Sequence, residues 1–322
     1  MKYPDNMLEF IDSFATEEQC LAYLEEIRWW WICPKCSSDK YWRHWKRRVR
    51  ICAWCRTNLC VTAWTVLHRT KIPLRTLFLI GWFMIMSKQW ISSEEIAMML
   101  AIDIKTAWLW NHKFRKIMVL DDRIKLSWNV EVDEVFIWWK HEWIRGRWAK
   151  WKLKVIMAVE INMTQQNKKW LFRWMGRIRM KIIPNCWEKT ITKFIEENIE
   201  KDSTLYTDWW LWYKNIDKHW YKHIIESESI ADDEVVWIST QEVTPNIHIV
   251  ASLVKRWLLG THQKYLTQDW YLQDYLEEYT FRFNRRKSSN RWKLFKTLLE
   301  QIMTHSPTTM KQIKSKSESQ KT

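Results

Sequence analysis

A chain that reverses direction often needs residues that accept left-handed backbone, and glycine does so most readily because it has no Cβ. This chain has 4 glycines and 28 tryptophans among 322 residues. Ordinary usage puts glycine near about 7 % of residues, so the two counts look exchanged. The positions repeat the inversion. Trp138, Trp139, Trp143, Trp148 and Trp151 crowd a basic, turn-like run with no apolar period. Large aromatic rings are retained for the area they bury, and this run offers them no core. The expectation is that many of these tryptophans are glycines in the native protein, through a UGA codon that the host reads as glycine. Trp45, in the middle of a basic segment, is read as one such turn.

The length is enough for two or three units at about 100–200 residues each. No apolar run reaches the roughly 18 residues of a membrane span. The stretch from Leu77 to Met86 is short and runs into Ser87-Lys88-Gln89. The first residues lack the apolar core of a secretory signal. A soluble intracellular protein with no membrane partner is expected. Net charge is +15, from 52 basic and 37 acidic residues. A surplus of that size favours a polyanionic partner. Nucleic acid fits better than a lipid surface, because the basic residues do not gather on one amphipathic helix.

Four of the 7 cysteines form two CxxC pairs, Cys33-Pro-Lys-Cys36 and Cys52-Ala-Trp-Cys55, with 15 residues between them. Each pair puts two sulfurs on one tight knuckle, and two knuckles complete a tetrahedron around structural Zn²⁺. The segment between them, Lys40 to Arg50, is a basic hairpin suited to phosphate contact, with Arg47 and Arg48 as candidate DNA ligands. Cys20, Cys60 and Cys186 are read as small apolar residues.

Apolar spacing predicts a helix over residues 6–27 and further helices over 73–120. Ile91 to Ile102, with its serine cap and acidic first turn, is followed by a break at Asp103-Ile104 and then a basic helix. Helix, short turn and basic helix suggest a helix-turn-helix, with Lys105 and Lys113 facing DNA. From about residue 125 the period changes to two. Strands are expected at 129–137, 153–161, 178–183, 203–208 and 222–226, a helix at 188–199, and helices at 246–260 and 268–283. The Lys-, Ser- and Thr-rich end is expected to be disordered.

That order resembles an RNase H-like fold, in which one carboxylate lies on the first strand and another at the end of the fourth. Asp133 and Asp208 occupy those places. Two converging carboxylates repel unless cations lie between them, the geometry of a two-metal phosphoryl-transfer site. The fold class is therefore α+β: an N-terminal zinc ribbon and helix-turn-helix, then an RNase H-like mixed-sheet core. The expected parts are 1–29 helical, 30–62 zinc ribbon, 63–122 helix-turn-helix-like, 123–303 catalytic core and 304–322 disordered basic tail.

Several motifs together resemble the insertion-sequence transposases with a zinc ribbon and a DDE-type core, the ISXO-like group. They are Cys33-Pro-Lys-Cys36, Lys105-Thr-Ala-Trp108, Val130-Glu-Val-Asp-Glu134 before Ile137-Trp-Trp139, and Gly176-Arg-Ile-Arg179. Tyr206-Thr-Asp208, the run Lys255 to Gln263 and Phe281-Arg-Phe-Asn-Arg-Arg286 complete the set. The resemblance covers about residues 15–300. In that family Gly-Gly stands at Trp138-Trp139 and Asp-Gly-Trp at Asp208-Trp209-Trp210, in line with displaced glycines. Trp82, Trp108, Trp210 and Trp257 match true tryptophans.

The resemblance implies metal-dependent DNA strand cleavage and strand transfer, with two Mg²⁺ or Mn²⁺ ions and no covalent enzyme intermediate. The implied partners are double-stranded DNA (terminal inverted repeats and target) and further copies of the chain, in the nucleoid of a prokaryotic cytoplasm. The family's third ligand is Glu or Asn, seven residues before a lysine. Here His248 stands seven before Lys255, so the implied triad is Asp133, Asp208 and His248, with Asn246 and Glu242 as fallbacks. Lys255 would hold a DNA phosphate, and Arg256 would meet the backbone further off. Glu131 and Glu134 are read as structural residues, or as residues that support the metal ligands from behind, on the strand face opposite Asp133. A zinc-ribbon DNA-binding protein derived from a transposase but catalytically inactive is the alternative, and a nuclease that cuts without joining is a third reading.

Overall fold

A computed structural model describes residues 4, 6–29, 32–44, 49–87, 90–118, 123–137, 153–166, 170–207, 213, 216–225, 228–231, 234–237, 244–262, 269–288 and 290–314. The chain forms two compact units, Met1–Val119 with Lys287–Thr322, and Leu120–Arg286.

The first unit opens with two helices where apolar spacing predicts one. Helix α1 (Met7–Ser13) ends before α2 (Glu17–Trp29) begins. The break is a capping box that is legible as Thr-x-x-Gln. The Gln19 amide donates to Thr16 Oγ1 at 3.3 Å, and the Thr16 amide donates to Gln19 Oε1 at 2.9 Å. A three-stranded antiparallel sheet follows, β1 (Tyr41–His44), β2 (Val49–Cys52) and β3 (Asn58–Cys60), in that order. A buried carboxylate ties it to α2. Glu25 Oε2 meets Arg50 at 2.6 Å and Arg43 at 2.8 Å.

Helices α3 (Leu74–Met86), α4 (Ser93–Leu100) and α5 (Ile104–Ile117) pack together. Helix α4 starts on a Ser92/Glu95 capping box and ends on left-handed Ala101, and Asp103 caps α5. The core is aromatic, with Phe10 stacked on Trp82 at 4.2 Å and Phe14 on Trp292 at 5.7 Å. Trp292 belongs to α9 (Trp292–Thr304), which packs in this unit rather than with the rest of 123–303. Gly81 lets α9 approach, since a Cβ there would come within 3.2 Å of Leu298. Residues 310–314 of the expected disordered tail form a short helix, α10 (Met310–Lys314), with Ile313 buried.

The second unit is built on β4 (Asn129–Ile137), β5 (Leu153–Gln166), β6 (Trp170–Ile183), β7 (Thr204–Thr207) and β8 (Lys222–Ile225). Their order in the sheet is β6-β5-β4-β7-β8. The first three strands pair antiparallel, and β7 and β8 join parallel. Helix α6 (Glu188–Asn198) makes the crossover from β6 to β7. It buries Ile191, Phe194 and Ile195 against Val130 and Val132 of β4 and Tyr213. A hairpin of β9 (Glu228–Ala231) and β10 (Glu234–Trp237), unannounced by the sequence pattern, precedes α7 (Pro245–Thr261) and α8 (Asp269–Asn284).

Two of the recognisable motifs serve this architecture. In Phe281-Arg-Phe-Asn-Arg-Arg286, Asn284 accepts the Ile178 amide at 2.7 Å and donates to the Ile178 carbonyl at 3.1 Å. Three turns earlier, Gln273 accepts the Ile182 amide at 2.9 Å. These side chains occupy the open edge of β6 as a further strand would, which closes a liability of exposed edges. In Gly176-Arg-Ile-Arg179, a Cβ on Gly176 would come within 2.8 Å of the Glu160 carboxylate. Arg177 grips that carboxylate with Nε at 3.0 Å and a terminal nitrogen at 2.7 Å. Burial alone would raise the Glu160 carboxyl, but the bonds from Arg177 and Ser127 outweigh it and hold it below the usual range.

Candidate functional site

The four knuckle cysteines converge. Cys33, Cys36, Cys52 and Cys55 place their sulfurs within 4.8 Å of one another. The two knuckles are built alike. The Cys33 amide donates to the Ser38 carbonyl at 2.9 Å while its own carbonyl accepts Ser37 N–H at 2.8 Å. The Cys52 amide donates to Thr57 at 3.1 Å while its carbonyl accepts Arg56 N–H at 3.1 Å. The residue that closes each turn is left-handed, with φ of 56° at both Ser37 and Arg56. The Thr57 hydroxyl and amide draw the Cys55 thiol down to about 6. At Cys36 a Ser38 backbone bond pulls the thiol down, yet burial and the adjacent sulfurs push it up to about 12. Such a set of thiols suits a structural zinc ion, whose charge would let all four ionise together.

In the second unit Asp133 lies on β4, partly exposed, with Oδ1 accepting the Glu134 amide at 2.7 Å. Parallel pairing of β4 with β7 runs from Asn129–Thr204 to Glu131–Tyr206. Asp133 is therefore two residues past the last pair. His248 lies in the first turn of α7, partly exposed, and Lys255 follows it by two turns on the same side of the helix. Burial lowers the Lys255 ammonium. Arg256 is exposed. Asp208, Glu242, Arg47, Arg48 and the tryptophan-rich run 138–152 lie outside the described residues. Among the described residues, the cysteine set is the only group of three or more potential metal ligands.

Of the remaining basic candidates, Lys105 is exposed in the first turn of α5, where Asp103 accepts its amide at 2.8 Å. Lys113 lies over the Trp110 ring at 4.3 Å, and burial lowers its ammonium.

The placement of Glu131 corrects the sequence reading. Residues two apart on a strand share a face, so Glu131 lies on the same face as Asp133, and only Glu134 is opposite. Glu131 is fully buried and reaches α7. It accepts Asn246 Nδ2 at 2.7 Å and the Ile247 amide at 3.0 Å. Asn246, the fallback ligand, is thus buried against a carboxylate. On the other face the Tyr213 hydroxyl donates to Glu134 at 2.6 Å. At the end of β7, Thr207 Oγ1 and His223 Nε2 are 2.7 Å apart. One signal for Glu131 was present in sequence. Pro245 marks a helix start and the first turn of α7 has no acidic residue; that Thr244 makes no side-chain cap bond is visible only in the fold.

The stretch from just before β4 through α8, residues 125–284, matches the ISXO2-like transposase domain. No curated protein and no solved structure matches the chain. The matched stretch contains Asp133, Glu131, His248 and Lys255 on the elements described above. By that domain the chain belongs to the insertion-sequence transposases of the ISXO2-like group.

Proposed function

We propose that the second unit is an RNase H-like catalytic core that cleaves DNA strands and joins them to a target by metal-dependent phosphoryl transfer, with Asp133, Asp208 and His248 as the metal ligands. The observation that carries this reading is the β4–β7 register. Glu131 pairs with Tyr206 in parallel strands, and two residues further along the sequence come Asp133 within β4 and Asp208, the residue that follows β7. The strand order β6-β5-β4-β7-β8 supports the fold assignment, since it has three antiparallel strands and then two parallel ones beside the first.

The donor set suits hard divalent ions: carboxylate oxygens favour Mg²⁺ or Mn²⁺, and an imidazole is accepted more readily by Mn²⁺. Bound ions would lower the pKa of an attacking water and stabilise charge on the transferred phosphate. The chain's own contributions are positional. The Glu134 amide orients the Asp133 carboxylate. Lys255, partly buried on the His248 side of α7, holds a DNA phosphate close to the reacting bond, while Arg256 meets backbone further out. No side chain acts as a covalent nucleophile.

In the first unit the cysteine cluster, filled by zinc, holds the ribbon 30–62, and Arg47, Arg48, Lys105 and Lys113 with the helical region 63–122 contact the terminal repeats. Two copies hold the two ends of the element together, in the nucleoid of a prokaryotic cell.

Metal choice tests the proposal. Cleavage of DNA carrying the element's own ends should run faster with Mn²⁺ than with Mg²⁺ and stop with a chelator. His248→Glu should shift the preference toward Mg²⁺, because it replaces imidazole by a harder oxygen donor. An unchanged Mn²⁺/Mg²⁺ ratio in that variant would remove His248 from the ligand set.

A further inference from the structure

We propose that Glu131 is a positioning residue for the phosphoryl-transfer site, a strut that fixes the start of α7, and with it His248, against the strand that carries Asp133. The inference rests on the reading of Asp133 and His248 as metal ligands. Glu131 is 0 % exposed, as are its neighbours Val130 and Val132. Those valines face α6 on the other side of the sheet; on the α7 side too a residue kept only to fill space would be apolar, because a buried carboxylate is costly unless it is paired. This one is paired with the start of a helix. The amides of a first helical turn have no partner within the helix and carry partial positive charge. The Ile247 amide, at 3.0 Å, and the Asn246 side chain, at 2.7 Å, both donate to it. His248 is the next residue along α7, and Asp133 is two residues along β4. The clamp therefore fixes the span between two ligands that come from elements 115 residues apart. Groups that orient metal ligands from behind cost about 10–100-fold in metal affinity or activity when changed.

The test uses the full chain with zinc in place. Glu131→Gln keeps the side-chain shape and one acceptor oxygen but removes the charge. Mn²⁺ affinity, read from the free-ion resonance signal without DNA, should fall about 10-fold or more. Without Mn²⁺, and with zinc still in place, the Ile247 amide of that variant should exchange with solvent faster than in wild type. Asn246→Ala, which leaves the carboxylate untouched, should weaken Mn²⁺ binding in the same direction. Pairing Glu131→Gln with Asn246→Asp restores an amide–carboxylate bond across the gap and should recover binding. Wild-type Mn²⁺ affinity in both Glu131→Gln and Asn246→Ala, with only a lower melting temperature, would overturn the positioning role. Asp133→Asn separates the two readings. If it abolishes Mn²⁺ binding while the Glu131 and Asn246 variants do not change it, only the positioning role falls. If it binds Mn²⁺ as wild type does, the metal site is misassigned and the positioning role falls with it.

A different observation carries a second inference: we infer that Trp64, Trp90, Trp128 and Trp220 stand at glycine positions. Their φ values are 61°, 74°, 69° and 70°. A left-handed residue with a Cβ is strained, and glycine is not. Trp64, Trp128 and Trp220 are also 78 %, 79 % and 71 % exposed, so their rings bury little in return. Trp82, Trp110, Trp257 and Trp292 are all on helices and 2–5 % exposed. Among the described residues these two sets differ in kind: the buried, helical tryptophans are used as tryptophan, and the left-handed ones are not. The strained positions also matter to the sheet, since the Trp128 carbonyl receives the Thr204 amide just before β4 meets β7.

Replacing Trp64, Trp128 and Trp220 together by glycine should raise the melting temperature of the full chain by a few degrees per site. The same three changed to alanine should gain nothing, because alanine keeps the Cβ. Trp82→Gly should lower it sharply. A glycine triple variant that melts at or below the parent would overturn the inference, as would tryptophan at these positions in peptides from the native host.

Discussion

Cys36→Ser should leave the chain without its zinc, with β1 to β3 unfolded. A structural zinc ion in a small domain contributes about 10–16 kcal/mol of apparent binding energy at neutral pH, more than a three-stranded sheet of 11 residues could replace by packing. The expected signs are loss of one zinc per chain by elemental analysis, and proteolytic cutting between Tyr41 and Cys60. Binding to the element's ends should weaken with them. Cys20→Ser is the control, since Cys20 is buried away from the cluster and desolvation pushes its thiol up to about 12. It should keep the zinc. A folded, protease-resistant ribbon in zinc-free Cys36→Ser would show that the sheet stands on the Glu25–Arg50 and Glu25–Arg43 ion pairs alone.

Asp133→Asn should abolish strand cleavage while the fold and DNA binding persist. The amide is close to isosteric, and the Glu134 N–H can still donate to its oxygen. On the proposed assignment, what disappears is the charge that would hold the ions. Their stabilisation of the transition state is several kcal/mol, and each 1.4 kcal/mol is about a factor of ten in rate, so a loss of about 10³-fold is expected. Melting temperature and DNA retention in a gel separate this result from misfolding. Cleavage at more than about a tenth of the wild-type rate would move the chemistry elsewhere.

Features set by local spacing were legible in the sequence. Two CxxC pairs 15 residues apart define the cysteine cluster without reference to anything else. The alternation of Asn129 to Ile137 marks β4, and the Ser92 cap with Glu95 marks α4. Features set by distant partners were not. Glu131 reads as a structural or supporting residue, but its partners at the start of α7 are seen only once that helix is placed beside β4. Trp292 and Phe295 fit a helix of either unit, and only the aromatic cluster with Phe10, Phe14 and Trp82 assigns them to the first. The break at Thr16 was in plain view as Thr-x-x-Gln, but continuous apolar spacing over 6–27 masked it. The tryptophan excess showed in composition, but which tryptophans stand in left-handed backbone is a matter of conformation, and φ supplies it.

Joining of a DNA end to a target is the most direct test of strand transfer by this protein. The measurement is a strand-transfer assay with the chain expressed in its native host, Mn²⁺, a duplex ending in the element's terminal sequence with a free 3′-hydroxyl, and a plasmid target. Covalent attachment of that 3′ end to the plasmid, present in wild type and absent in Asp133→Asn, is the predicted result. DNA that is bound but neither cut nor joined would contradict it and leave an inactive DNA-binding descendant of a transposase.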